Sequence, residues 1–142
     1  MSLTVLDFGA GTSKMKGLIE LYMSWDVVAV DMSPRDKLVQ YVNFSGDNIP
    51  FEDGSFDKII SLSTVQYITD LEALFKEFAR MLNVGGEIFI VYPFKLNPYN
   101  FLYADVSKGW WYCDKPLKKA GFVFAKSLIG GGGYLYLRGV KR

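Results

Sequence analysis

Two hydrophobic periods alternate along this chain, and the switches between them mark its elements. Leu3 to Phe8 is an apolar run broken by Asp7 and closed by Gly9, and the stretch from Met15 to Met23 sets Leu18, Leu21 and Tyr22 at helical spacing. That order reads as strand, glycine turn, helix. Asp26 to Val30 predicts a second buried strand ending at Asp31, and Ser33-Pro34 predicts a helix cap with proline in first position. A third strand is expected at Tyr41 to Ser45, and a fourth at Phe56 to Leu62 after the turn-rich stretch Pro50 to Ser55. From Asp70 to Leu82, the residues Leu71, Leu74, Phe75, Phe78, Ala79 and Leu82 form one apolar stripe, and Val84-Gly85-Gly86 supplies a stop. Glu87 to Tyr92 is the fifth strand. Lys115 to Ala120 makes a short helix, and Phe122 to Leu128 and Tyr134 to Val140 flank the glycines at 130 to 133 as the last two strands.

Strand and helix alternate through the first two thirds, which predicts an α/β domain: a mostly parallel sheet with helices on its faces. The glycine loop between the last two strands predicts an antiparallel hairpin at one edge. With no internal repeat or linker, residues 1–142 read as a single domain. Ligands of such sheets bind beyond the carboxyl ends of the strands, where strand order reverses. The residues at the strand ends therefore carry the interest.

Composition narrows the chemistry. Half of the 142 residues are hydrophobic and the net charge is +1, which excludes a disordered tail protein and gives no global charge for nucleic-acid binding. The charge is uneven: residues 108 to 142 carry eight basic side chains against Asp114 alone. Histidine is absent and Cys113 is the only cysteine, so a histidine triad, a Cys/His zinc site and an internal disulfide are all excluded. No metal site is expected. No apolar run approaches the ~20 residues that cross a bilayer, and the start lacks the pattern of a leader, so a cytoplasmic location is expected.

Three strand ends carry candidate chemistry. Asp7-Phe8-Gly9-Ala10-Gly11 joins the first strand to the first helix, where glycines permit a tight turn and close backbone approach to a ligand. Lys14 stands where both the dinucleotide fingerprint and the phosphate-loop spacing need glycine, so those two motifs fail. Asp31 lies twenty-four positions after Asp7, at the end of the second strand. Its carboxylate can accept two hydrogen bonds from vicinal ribose hydroxyls, or cap the following short helix. Asp47-Asn48 follows the third strand; an aspartate with an adjacent backbone amide can read an adenine edge, and turn chemistry explains it equally well.

Together these segments, with Gly46-Asp47-Asn48-Ile49-Pro50-Phe51 and Asp53-Gly54-Ser55-Phe56-Asp57, resemble the class I S-adenosylmethionine-dependent methyltransferases, in particular the small Rossmann-like, type 11-like domains. The resemblance implies a Rossmann-like three-layer sandwich with a seven-stranded sheet, and S-adenosyl-L-methionine as cofactor. It implies that the turn from Asp7 through Gly9, Ala10 and Gly11 holds the methionine part, Asp31 the ribose, and Asp47 with Asn48 the adenine edge. Met32 would lie on the adenine face, and the backbone at Leu62 and Ser63 would meet the methionine amino group. The function implied is methyl transfer to an O, N or C nucleophile; a noncatalytic cofactor-binding subunit of a methyltransferase complex is the alternative.

The departures from the family pattern matter too. Ser13 replaces the third glycine, and Tyr67 stands where many small-molecule members carry histidine, leaving Tyr67, Gln66 and Tyr92 as candidates for positioning the acceptor. The chain starts at the first strand, and only fifteen residues separate Asp31 from Asp47, too few for a full helix plus strand. Both shortfalls would thin the cover on one face of the sheet. A parallel sheet is normally buried on both faces, so a homodimer or another protein partner is expected there, with cover by Tyr22, Met23, Trp25 and the short helix after Ser33-Pro34 as the alternative. The aromatic stretch from Tyr92 to Tyr112 could hold a flat or cationic acceptor, or seal the core.

Overall fold

The computed structural model describes residues 2–44, 48–94 and 108–142. Its elements are β1 (Thr4–Phe8), α1 (Lys14–Met23), β2 (Asp26–Asp31), β3 (Val39–Tyr41), β4 (Phe56–Leu62), α2 (Leu71–Met81), β5 (Leu82–Pro93), α3 (Asp114–Lys119), β6 (Phe122–Ile129) and β7 (Tyr134–Lys141). They build one seven-stranded sheet in the order β3-β2-β1-β4-β5-β7-β6. The first five strands pair in parallel, and β7 runs antiparallel to both β5 and β6. The strand order reverses between β1 and β4, so the crevice expected for a ligand opens beyond the ends of those two strands.

The core forms on one face. Leu74, Phe75, Phe78 and Met81 of α2, all fully buried, pack with Leu6 and Phe8 of β1, Ile59 of β4, Ile88 and Ile90 of β5 and Leu117 of α3. The stripe read from the sequence is thus the buried face of α2. Asp70 caps this helix by accepting from the Ala73 N–H at 3.1 Å, with Glu72 in the first turn and Arg80 in the last, both favourable to the helix dipole. Because side chains alternate along a strand, Val5, Asp7, Val27 and Ala29 face the other way, where α1 packs on β2 and Lys16 donates to the Val27 carbonyl at 2.6 Å.

Three boundaries differ from the sequence reading, each for a local reason. No helix follows Ser33-Pro34. The Asp31 carboxylate takes the Ser33 N–H at 2.7 Å and the Asp36 carboxylate takes the Leu38 N–H at 2.9 Å, and these side-chain bonds turn the backbone before a helix can start. The chain therefore reaches the sheet sooner: β3 pairs from Val39, opposite Ala29, and ends at Tyr41, where the expected strand was to begin. β5 starts at Leu82 rather than Glu87, passing through Gly85 at φ +78°, and its register against β4 shifts between the Phe56 and Lys58 pairings.

The second face is thinly covered, as the shortened connections predict. Beyond α1, the described residues place no helix over Ile60, Phe89, Val91 and Tyr136, which are half-buried. Long charged side chains spread over them instead. Lys58 lies 5.4 Å from the Phe89 ring centre and 5.7 Å from that of Trp25, and bonds Glu87 at 2.6 Å. Arg138 reaches across the same ring and pairs with Glu87 from the other side. On α1 itself Leu18, Leu21, Tyr22 and Met23 stay exposed. Among the described residues no helix is long and apolar enough to cross a membrane.

Candidate functional site

The crevice beyond β1 and β4 is a cavity of about 790 Å³, bounded by the glycine turn, the end of β2 and the segment after β4. The turn is clipped to β2 by two backbone bonds, Gly9 and Ala10 N–H to the Val30 carbonyl, at 2.9 and 3.0 Å. Both glycines have left-handed backbones, φ +78° at Gly9 and +67° at Gly11. At Gly9 a β-carbon would fall within the Thr64 side chain, whereas at Gly11 it would meet only the flexible tip of the exposed Arg35 side chain. The turn needs glycine at Gly9 for conformation and for space, and at Gly11 for conformation.

Across the cavity, Ser63 also adopts a left-handed backbone, φ +55°, and its N–H is held by the Val91 carbonyl at 2.7 Å. A non-glycine residue in that region is strained, and such strain concentrates at ligand sites. Thr64 follows, with its hydroxyl directed at the Gly9 and Leu62 carbonyls at 3.4 and 3.3 Å. Val30, Met32, Val42 and Phe44, from β2 and the segment after β3, give the lining an apolar part.

The acidic residues differ in their surroundings. Asp31 accepts the Gly11 N–H on one carboxylate oxygen at 2.8 Å and the Ser33 N–H on the other at 2.7 Å, which fixes its plane and leaves each oxygen a free lone pair. Asp7 lies beneath the turn with 2% of its surface exposed. Burial, with the Asp31 charge adding to it, pushes its carboxyl up to about 6.

Gly9, Gly11, Asp31, Met32, Ser63 and Tyr67 all line this one cavity, so the structure brings together residues drawn from three strand ends. Ala10 belongs to the turn, although the cavity lining passes from Gly9 to Gly11, and Leu62 sits just before the lining segment Ser63-Thr64. Asn48 lines a separate, shallower depression of about 420 Å³ beside Arg80. Asp47 lies outside the described residues, as do Asn97-Pro98-Tyr99 and the rest of the aromatic stretch from 95 to 107.

Of the candidates for positioning an acceptor, only Tyr67 faces the cavity. Tyr92 is fully buried, its hydroxyl near the Gly109 and Trp110 carbonyls at 3.3 and 3.5 Å, and burial holds its phenol well above the usual range. Its position on β5 alternates with Val91 and points into the core, so it serves packing. Gln66 is also buried and outside the cavity lining, and neither of its amide atoms has a hydrogen-bond partner among the described residues. The described part of the aromatic stretch largely seals the core: Phe94 packs edge-on against Trp110 and Tyr92 tilts against Tyr112, while Trp111 is exposed.

Sequence reasoning missed Arg35, Thr64 and Phe44, which line the cavity. Arg35 had a signal, since it stands directly after the Asp31-Met32-Ser33-Pro34 turn; Thr64 had none, because its role depends on a contact with Gly9 across 55 positions.

The chain has clear relatives. A methyltransferase domain family matches residues 6–90. The sarcosine/dimethylglycine N-methyltransferase of Halorhodospira halochloris is 27% identical over 103 residues, 63% of this chain and 37% of that protein. The malonyl-[acyl-carrier protein] O-methyltransferase of Geobacter sulfurreducens is 32% identical over 94 residues, 58% of this chain and 35% of that protein. The chain thus spans little more than a third of the length of these two relatives. Among solved structures, a SAM dependent methyltransferase from Aquifex aeolicus superposes with a TM-score of 0.81 at 17% identity, covering 99% of this chain and 82% of that one. A putative methyltransferase from Haloferax volcanii, in complex with the Trm112 methyltransferase activator, superposes with a TM-score of 0.77 at 16% identity, covering 98% and 82%. With the family match over more than half its length and the strand order of its sheet, the chain belongs to the methyltransferase domain family and has the Rossmann-like fold of the class I S-adenosylmethionine-dependent methyltransferases.

Proposed function

We propose that residues 1–142 form one methyltransferase domain that binds S-adenosyl-L-methionine in the crevice beyond β1 and β4. The observation that carries this reading is the convergence of the two constrained glycines, the oriented Asp31 carboxylate and the strained Ser63 on one cavity. The residues fit the cofactor's chemistry. The glycine turn leaves space that any β-carbon would fill, the free lone pairs of Asp31 suit a pair of ribose hydroxyls, and Met32, Val42 and Phe44 offer an apolar wall to adenine. Gly9, Ala10 and Gly11 would hold the methionine portion with Ser63 opposite, and Asp47 would complete the adenine side, without Asn48, which lines the separate depression beside Arg80.

S-adenosylmethionine supplies an electrophilic methyl group on a sulfonium. The chain's contribution is alignment and exclusion of water, which are worth several powers of ten in rate and need no histidine. Tyr67, 63% exposed at the cavity edge, would steer an O, N or C nucleophile. Replacing Asp31 removes two charge-assisted acceptors and strips the Gly11 and Ser33 N–H groups of their partner. Asp31→Ala should weaken S-adenosylmethionine binding about 30- to 100-fold by calorimetry, at roughly 1–1.5 kcal/mol for each of the lost ligand bonds. Unchanged affinity would remove Asp31 from the site, and preferential binding of NAD would replace the reading with a nucleotide-dependent redox role.

A second reading is a cofactor-binding subunit that activates or accompanies another methyltransferase. It is favoured by the position of Tyr92 and Gln66 outside the cavity, which among the described candidates for positioning an acceptor leaves Tyr67. Methyl transfer from labelled cofactor into cell extract by the chain alone excludes it. In either reading the exposed Leu18, Leu21 and Tyr22 and the thin cover over Phe89 and Tyr136 suit a homodimer or another protein partner. The Haloferax protein's association with Trm112 supports the idea that a domain of this fold takes one. Sedimentation of the chain as a monomer at high concentration would count against the homodimer.

A further inference from the structure

Arg35 is the cationic side chain on the cavity lining among the described residues, where the other charged groups are Asp31 and Asp70. Its backbone is tied to the glycine turn, and its tip lies beside that turn. The Arg35 backbone N–H donates to the Gly11 carbonyl at 2.8 Å, and its guanidinium lies over Gly11, in the space that a β-carbon would take.

The acids beside it are already engaged. Asp31 holds the N–H groups of Gly11 and Ser33, and Asp36 accepts the Ser13 N–H at 2.7 Å, the Ser13 hydroxyl at 2.8 Å and the Leu38 N–H at 2.9 Å. Neither forms an ion pair with Arg35, and the guanidinium finds no other hydrogen-bond or ion-pair partner among the described residues. A planar cation with its donors unassigned, folded over the turn that lines a ligand cavity, is built to receive an anion.

From this geometry we propose that the Arg35 guanidinium anchors the α-carboxylate of the cofactor. The inference rests on the cofactor reading above and adds the residue that reads the amino-acid end. The charges match in kind. S-adenosylmethionine carries a sulfonium and an ammonium, which suit a cavity walled by Asp31 and Asp70 above Asp7, and one anionic group, the α-carboxylate, which has Arg35 for a counter-charge. The glycine at position 11 then has a second purpose: it admits the guanidinium as well as the left-handed turn. Because Arg35 is exposed, solvent screens the pair, and the expected contribution is modest.

The test is calorimetric titration of the full chain and its Arg35→Gln variant with two probes, S-adenosylhomocysteine and its decarboxylated analogue, which share every group but the carboxylate. The unaltered chain should bind S-adenosylhomocysteine about tenfold more tightly than the analogue. Arg35→Gln should lose that factor for S-adenosylhomocysteine and leave the analogue's affinity unchanged, and Arg35→Lys should recover part of it, as a point charge without the planar fork does. An equal loss for both probes would make Arg35 a strut for the glycine turn and overturn the proposal. Equal affinities of S-adenosylhomocysteine for Arg35→Gln and the unaltered chain would overturn it too. Failure of the unaltered chain to bind either probe is a separate outcome, which rejects the cofactor reading itself along with this one.

Discussion

Asp7→Asn should make the protein more stable at pH 8 by about 2–3 kcal/mol, and no more stable at pH 3. The sign follows from where the proton sits. In the folded chain the Asp7 carboxyl titrates near 6, against an ordinary value of 3.8 when the chain is unfolded. The native state holds this proton more tightly, so ionising Asp7 costs the fold free energy. The cost is absent below about pH 4, grows as pH rises from there through 6, and is complete above it; two units of displacement at ~1.4 kcal/mol each set the size. Asparagine has nearly the same shape and no charge, so the variant escapes the penalty. Thermal melts of both proteins across pH 3 to 8 check this: the difference should approach 10 °C at pH 8, using ~3–4 °C per kcal/mol for a domain of this size. A constant difference across that range would show that Asp7 titrates normally. A buried acid that destabilises the empty fold while lying beneath the cavity is the pattern expected where a site is kept at the expense of stability.

Gly9→Ala should cost about 3 kcal/mol by urea denaturation, the largest loss expected from a single methyl group in this chain. Two effects combine. A left-handed backbone at φ +78° costs an L-residue ~1–2 kcal/mol, and the new carbon would fall within the Thr64 side chain, an overpacking worth ~1–3 kcal/mol. They separate in a double variant. Adding Thr64→Ala should restore the steric part and leave the backbone part, so Gly9→Ala/Thr64→Ala should recover about half of the loss relative to Thr64→Ala alone. Full recovery would show that the backbone carries no strain, and no recovery that the two residues do not meet.

Much of this architecture was legible in the sequence because the signals were local. The stripe of Leu71, Leu74, Phe75 and Phe78 is a periodicity within one helix, and it became the buried face of α2. The glycine loop at 130 to 133 sits inside one hairpin, whose strands pair from Phe122 with Lys141 through Ile129 with Tyr134. Gly9, Gly11 and Asp31 line one cavity because a parallel sheet places such strand ends on one edge. Where the reading went astray, a side chain outweighed the pattern. Ser33-Pro34 has the form of a helix start, yet Asp31 and Asp36 captured the neighbouring N–H groups first. Tyr92 is one residue out of phase: in a strand, a shift of one position exchanges core for surface, and the apolar run of β5 gave no sign of which set was inward. Thr64 had no local signal, since its place depends on the side chain that Gly9 lacks, 55 positions away.

The thin cover on the second face shows a related point. Among the described residues no helix beyond α1 covers this face, and the short connection from Asp31 to Asp47 gave no sign that Lys58, Glu87 and Arg138 would lay a charged lattice over Phe89. Long aliphatic stems with charged tips can shield apolar surface while remaining wet. The exposed side chains of α1 have no such shield.

In the proposed complex the glycine turn, Asp31 and Ser63 surround a single adenosyl ligand. A crystal structure of the chain grown with S-adenosylhomocysteine tests it most directly. The ligand should lie in the crevice beyond β1 and β4, with its ribose hydroxyls on the Asp31 carboxylate and its amino-acid end over Gly9 to Gly11. Density for the ligand elsewhere, or an empty crevice at saturating concentration, would contradict it.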